Sequence, residues 1–169
     1  MCCASHRCRH CARAEATGHP RRFGVSPDAP MRYDARMNSP ASEPASIYAL
    51  IGGAEPLRAL VDRFYDLMDL EPEFSLLRSL HPSTLDGSRD KLYWFLSGWS
   101  GGPDLFVERF GHPRLRARHL PYAIATPERD QWLRCMAWAM QEVEMEPALQ
   151  ERLLRSFYDT ADWMRNRPD

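Results

Sequence analysis

From residue 47 onward, apolar residues recur at helical spacing, with no strand-like alternation of useful length. Ile47 to Leu50 predicts a short helix ending at Gly52 and Gly53, where a sharp turn suits glycine. Glu55 and Pro56 open a longer helix whose stripe is Leu57, Leu60, Val61, Phe64, Leu67 and Met68, with Tyr65 at its edge. Pro72 breaks it, and Phe74, Leu77 and Leu80 predict a short helical piece. Thr84 or Asp86 is the expected cap of the next helix, which places Leu85, Ser88, Leu92, Phe95, Leu96 and Trp99 near one face. Gly98, Gly101, Gly102 and Pro103 close it, and Leu105, Phe106 and Phe110 follow.

Thr126-Pro127-Glu128 reads as a capping Thr, a first-turn Pro and an acid favoured by the helix dipole. The stripe of that helix is expected at Trp132, Met136, Met140 and Val143, flanked by Leu133, Cys135 and Ala137. Pro147 starts the last helix, with Leu149, Leu153, Leu154, Phe157, Ala161 and Met164 on its apolar side. An all-α domain follows, spanning residues 47–169. Cys135 reads as a small buried residue, because no base is placed beside it by spacing.

Composition separates the first part of the chain. Residues 1–46 hold four of the five Cys, five Pro and seven Arg, but no Trp. They are expected to form a disordered N-terminal extension without a core. Cys2, Cys3, Cys8 and Cys11 with His6 and His10 suggest zinc at first sight. A second well-spaced pair and the apolar residues to fold over an ion are missing, and Ala12 stands where covalent haem attachment needs His. Translation from Met31 or Met37 is an alternative reading of this stretch.

The whole chain carries 22 basic and 23 acidic residues, a net charge of -1. Residues 47–169 hold 15 of the basic and 19 of the acidic residues. That balance offers no electrostatic reason for a nucleic acid or an anionic membrane as partner. No apolar run reaches the roughly 18 residues of a membrane span, and residues 1–20 lack the apolar core of a secretory signal. The expected protein is soluble and cytoplasmic.

Candidate chemistry concentrates in Gly111-His112-Pro113-Arg114-Leu115-Arg116-Ala117-Arg118-His119-Leu120-Pro121. The two prolines predict a helix of about two turns between them. Leu115 and His119, four apart, share a face, while Arg114, Arg116 and Arg118 point elsewhere. A neutral imidazole on such a face suits either a core position or a metal, and the arginines suit the carboxylates of a metal-bearing group.

These residues carry a specific resemblance. The glycines at 52–53 and 101–102, the pair Phe64-Tyr65, the run from Gly111 to His119, and Arg129-Asp130-Gln131-Trp132-Leu133 resemble the group II truncated haemoglobins over residues 47–166. The resemblance implies a two-over-two helical sandwich around haem b, with His119 as the proximal iron ligand and its other ring nitrogen donating to a backbone carbonyl. It implies Tyr65 and Trp132 as hydrogen-bond donors to bound O2, with His81 as a third donor or a cover for the haem edge. Ser88 stands where many haemoglobins carry a distal His; Leu92, Phe95 and Leu96 would wall the pocket. Lys91 and Arg118 match basic positions that pair with propionates, and Tyr122 belongs to the same cofactor-binding set.

The implied activity is reversible binding of O2, with CO and NO as further ligands. Nitric oxide dioxygenase or peroxidase-like chemistry is the alternative, and it requires an external reductase because the chain has no flavin or nicotinamide motif. A haem-free helical interaction module is a second alternative. The expected assembly is a monomer or homodimer.

Overall fold

A computed structural model describes residues 44–168. The expectations for Cys2, Cys3, His6, Cys8, His10 and Cys11, and for starts at Met31 or Met37, lie outside the described residues. These residues fold into eight α-helices: α1 Ile47–Ile51, α2 Ala54–Leu70, α3 Ser75–Ser79, α4 Asp86–Trp99, α5 Leu105–Phe110, α6 Leu115–His119, α7 Thr126–Glu142 and α8 Pro147–Met164. A 3-10 turn over Pro72–Phe74 joins α2 to α3.

The two long-helix pairs, α2 with α4 and α7 with α8, are joined through α2 against α7. The seam is apolar because each helix supplies one stripe. Leu57, Leu60, Val61, Phe64, Leu67 and Met68 of α2 are all buried, as the spacing predicted. Tyr65, expected at the stripe's edge, is itself in the core and only 5 % exposed. On α7 the most buried positions are Cys135, Met136, Ala139 and Met140, while Trp132 is half-buried. Cys135 fits because it is small and its thiol finds the Phe64 carbonyl at 3.3 Å. Burial of each large apolar side chain contributes about 1.5–3 kcal/mol relative to exposure.

Salt bridges line the outer edge of the α2–α4 pair. Arg58 reaches Asp62 at 3.0 Å and Asp90 at 2.7 Å, and Arg89 pairs with Asp66.

The glycine-rich turns have separate causes. Gly52 closes α1 in the left-handed region at φ +103°, and Gly101 ends the α4 turn at φ +87°. Gly102 is needed for space: a Cβ there would stand 2.5 Å from the Tyr48 ring. Tyr48 also donates its backbone N–H to the Ser100 carbonyl at 2.8 Å, so α1 is fixed onto the end of α4.

Three helix starts differ from expectation. The cap position of α4 is Leu85, without a side-chain hydrogen bond, so neither Thr84 nor Asp86 takes that role. Ala125 precedes α7, and the Glu128 carboxylate reaches back to accept its N–H at 2.8 Å; Thr126 is already inside the helix. Helix α6 is five residues long rather than about two turns. Arg114 adopts φ 44° in the left-handed region, which separates Pro113 from the helix and moves its start to Leu115.

Candidate functional site

Helix α6 has no buried residue. His119, at its C-terminal end, is half-buried, and its Nδ1 lies 2.7 Å from the Leu115 carbonyl. A carbonyl only accepts, so Nδ1 is the donor, and in the neutral ring this leaves the lone pair on Nε2. Beyond α6 opens a cavity of about 680 Å³, bordered by Phe95 and Trp99 of α4, Leu115 and Ala117 of α6, and Thr160 and Trp163 of α8. The surface it exposes is mostly apolar, although His112, Arg114, Arg116 and Asp159 also border it and His119 does not.

Tyr65 and His81 form a second cluster. Their rings meet edge to face with centroids 5.8 Å apart. Burial pushes the Tyr65 phenol well above its ordinary range, against the opposing effect of nearby Arg89, and the Ser88 hydroxyl stands beside it. The phenol therefore keeps its proton and remains a donor. His81 Nδ1 lies 3.0 Å from the Leu77 carbonyl and donates to it by the same logic. Burial is the main cause that lowers the His81 pKa, with Arg78 and His119 lowering it further. His81 is thus neutral at pH 7, with Nε2 an acceptor.

Trp132 packs against Phe64 and Phe157, ring centroids 5.4 Å from each. Phe64 also meets Tyr65 at 5.1 Å, so it bridges the two expected donors. Leu92 and Phe95 are half-buried against the core, and Leu96 is fully inside it. Lys91 is exposed. Arg118 is exposed too, and its Nε donates to the Pro113 carbonyl at 2.8 Å while the guanidinium lies over Phe106. Tyr122 is 45 % exposed and enters the network through its backbone, donating to the His119 carbonyl at 3.1 Å.

Sequence reasoning missed three contributors. Gln131 accepts the Leu77 N–H at 2.8 Å, which ties the segment before His81 to α7. Arg129 is buried and reaches Asp130, Asp162 and Tyr158. Asn166 bonds the His119 and Tyr122 carbonyls. Arg129 and Gln131 fall within a quoted motif, and that was their only signal; Asn166 had none, since its partners are more than 40 residues away.

The donor set fits haem. Among the described residues, no three His, Cys, Asp or Glu side chains gather to hold an ion. His119 offers one bare nitrogen, so an iron held there takes its other ligands from a prosthetic ring. The apolar and aromatic residues around α4 and α6 suit such a ring.

The bacterial-like globin family model matches residues 46–166. The group 2 truncated hemoglobin YjbI of Bacillus subtilis is 41 % identical over 117 residues, 69 % of this chain and 86 % of that protein. The group II 2-on-2 hemoglobin of Agrobacterium tumefaciens superposes with a TM-score of 0.72 at 42 % identity, covering 76 % of this chain and 99 % of that one. The truncated oxygen-avid haemoglobin of Bacillus subtilis gives a TM-score of 0.67 at 41 % identity, over 72 % and 100 %. The chain belongs to the bacterial-like globins and, within them, to the group II truncated haemoglobins. Membership implies a haem cofactor and diatomic gas ligands such as O2. No helix of the described residues is long and apolar enough to cross a membrane.

Proposed function

We propose that this protein binds haem b through His119 Nε2 and holds O2 reversibly, with Tyr65 and Trp132 as the donors that retain it. The observation that carries the reading is the 2.7 Å bond from His119 Nδ1 to the Leu115 carbonyl, which orients the ring and leaves Nε2 free. When bound, haem supplies an iron with a coordination position for a diatomic gas. Leu92 and Phe95 would hold the ring by apolar contact, and Lys91 and Arg118 would turn toward its propionates. Tyr65, kept protonated by burial, donates a hydrogen bond to the gas ligand. Ser88, being small, leaves access to the ligand open. The oxygen-avid character of the Bacillus subtilis relative supports tight O2 binding here.

His81 takes a role that differs from a third donor. With its proton on Nδ1 and committed to Leu77, it has no hydrogen to offer the gas ligand, and it meets Tyr65 edge to face. It covers the site and fixes Tyr65 instead.

The test is a haem titration of the full-length protein followed by dithionite and carbon monoxide. One equivalent of haem is expected to give a sharp Soret band that shifts with carbon monoxide. The absence of a saturable Soret band would reject the proposal and favour the haem-free interaction module.

A further inference from the structure

The five residues of α6 are too few to hold a helix by themselves, and none of them is buried. What holds this helix lies at the end of α8 and in the segment just after it. The Arg116 guanidinium donates to the Trp163 carbonyl and, at 3.3 Å, to the Arg165 carbonyl. It also lies over the Trp163 ring, 5.6 Å from the centroid.

Asn166 makes the closer link. Its Nδ2 donates to the His119 carbonyl at 3.2 Å and to the Tyr122 carbonyl at 2.9 Å. Its Oδ1 accepts the Ile124 N–H at 3.2 Å. The Asn166 and Arg167 backbone N–H groups donate to the Ile124 carbonyl at 2.9 Å and 3.1 Å. Both amide protons and the carbonyl oxygen of this one side chain are therefore engaged with the end of α6 and the loop between α6 and α7. A C-terminal carbonyl of a helix has no partner within it, and at His119 Asn166 helps to supply one.

We propose that Asn166 is a positioning residue for His119, and that the segment 163–167 sets where the imidazole stands. This rests on His119 being the protein ligand of the haem iron. The side-chain bond from Nδ1 to Leu115 orients the ring relative to α6, but that bond moves with the helix. Only contacts from outside the helix fix α6 itself, and the hydrogen bonds that tie Arg116, His119, Tyr122 and Ile124 to a distant part of the chain all reach residues 163–167. Releasing Asn166 frees the helix to shift and tilt, which would change how His119 Nε2 is presented to a bound iron.

The experiment uses full-length, haem-loaded protein. Resonance Raman spectra of the ferrous, ligand-free form report the iron–histidine stretching band, and transfer to excess apomyoglobin reports haem loss. Asn166→Ala removes all three side-chain bonds; Asn166→Asp keeps the acceptor for Ile124 and removes both donations. Both variants are expected to shift and broaden the band, and Asn166→Ala to lose haem about fivefold faster, the size expected from net hydrogen-bond loss. Glu146→Ala removes the cap of α8, where Glu146 accepts from Ala148 and Leu149, at the other end of that helix from residues 163–167. It is expected to lower the unfolding midpoint without moving the band. An unchanged band in either Asn166 variant that binds haem, or an equal shift in Glu146→Ala, overturns the proposal. Loss of the band in His119→Gly, with an unchanged band in the Asn166 variants, rejects the positioning role of Asn166 and leaves the His119 reading standing. Persistence of the band in His119→Gly rejects both.

Discussion

The Tyr65 and His81 rings meet edge to face at 5.8 Å, and His81 is bonded from behind by its Nδ1 to the Leu77 carbonyl. Burial makes the charged form of His81 costly, so its folded pKa lies below the ordinary 6.5.

The sign of the pH effect follows. Below about 6.5 the unfolded chain takes up a proton at His81 that the folded chain resists, so stability falls as the solution is acidified. Chemical denaturation at pH 7.5 and pH 5.5 measures it, with roughly one pH unit on either side of that value. His81→Phe is expected to lose less stability than the wild type over that interval. An equal loss in both proteins would contradict the assignment of His81 as a buried neutral group.

Tyr65→Phe keeps the ring that packs on Phe64 and removes only the hydroxyl. O2 dissociation is expected to rise about 10- to 100-fold, the scale of a hydrogen bond to a group carrying charge. Haem uptake should be unchanged. Stopped-flow displacement of O2 by carbon monoxide checks this, and an unchanged off-rate would remove Tyr65 from ligand retention.

Cys135 is fully buried, and its thiol is pushed up to about 12, chiefly by burial. It is expected to resist iodoacetamide at pH 8 in the native protein and to react after unfolding, because the thiolate is the reactive form. Peptide mapping by mass spectrometry distinguishes this site from the other cysteines. Native labelling at the unfolded rate would contradict the packing described for α7.

Two glycines near opposite ends of α4 should behave in opposite ways. A Cβ at Gly102 meets the Tyr48 ring at 2.5 Å, whereas one at Gly87 meets nothing within 4 Å. Gly102→Ala is expected to cost about 1–3 kcal/mol through the forced shift of Tyr48. Gly87→Ala lies inside α4 and should be neutral or stabilising by up to about 1 kcal/mol. Thermal unfolding of the two variants compares them directly.

The long helices were legible because their apolar residues repeat at 3.6-residue spacing: every stripe residue expected on α2 is buried. Helix starts were less legible, since they depend on backbone angles that composition hardly restricts. Arg114 in the left-handed region is the clearest case, as no rule places Arg there in advance. His119, Tyr65 and Trp132 are candidates through their motifs, and local spacing alone favoured a core position for His119. The partners of these residues were hidden for a different reason. Gln131 meets Leu77, and Asn166 meets His119, across 54 and 47 residues, and a polar side chain shows no periodicity that would reveal such a pairing.

The measurement that bears most directly on the central claim is haem binding by His119→Gly, with and without added imidazole. Removing the only side chain proposed to reach iron is expected to abolish stable haem retention in gel filtration, and free imidazole, filling the space left by the ring, should restore the ferrous spectrum. Retention of haem with an unaltered ferrous spectrum and no response to imidazole would show that His119 is not the ligand.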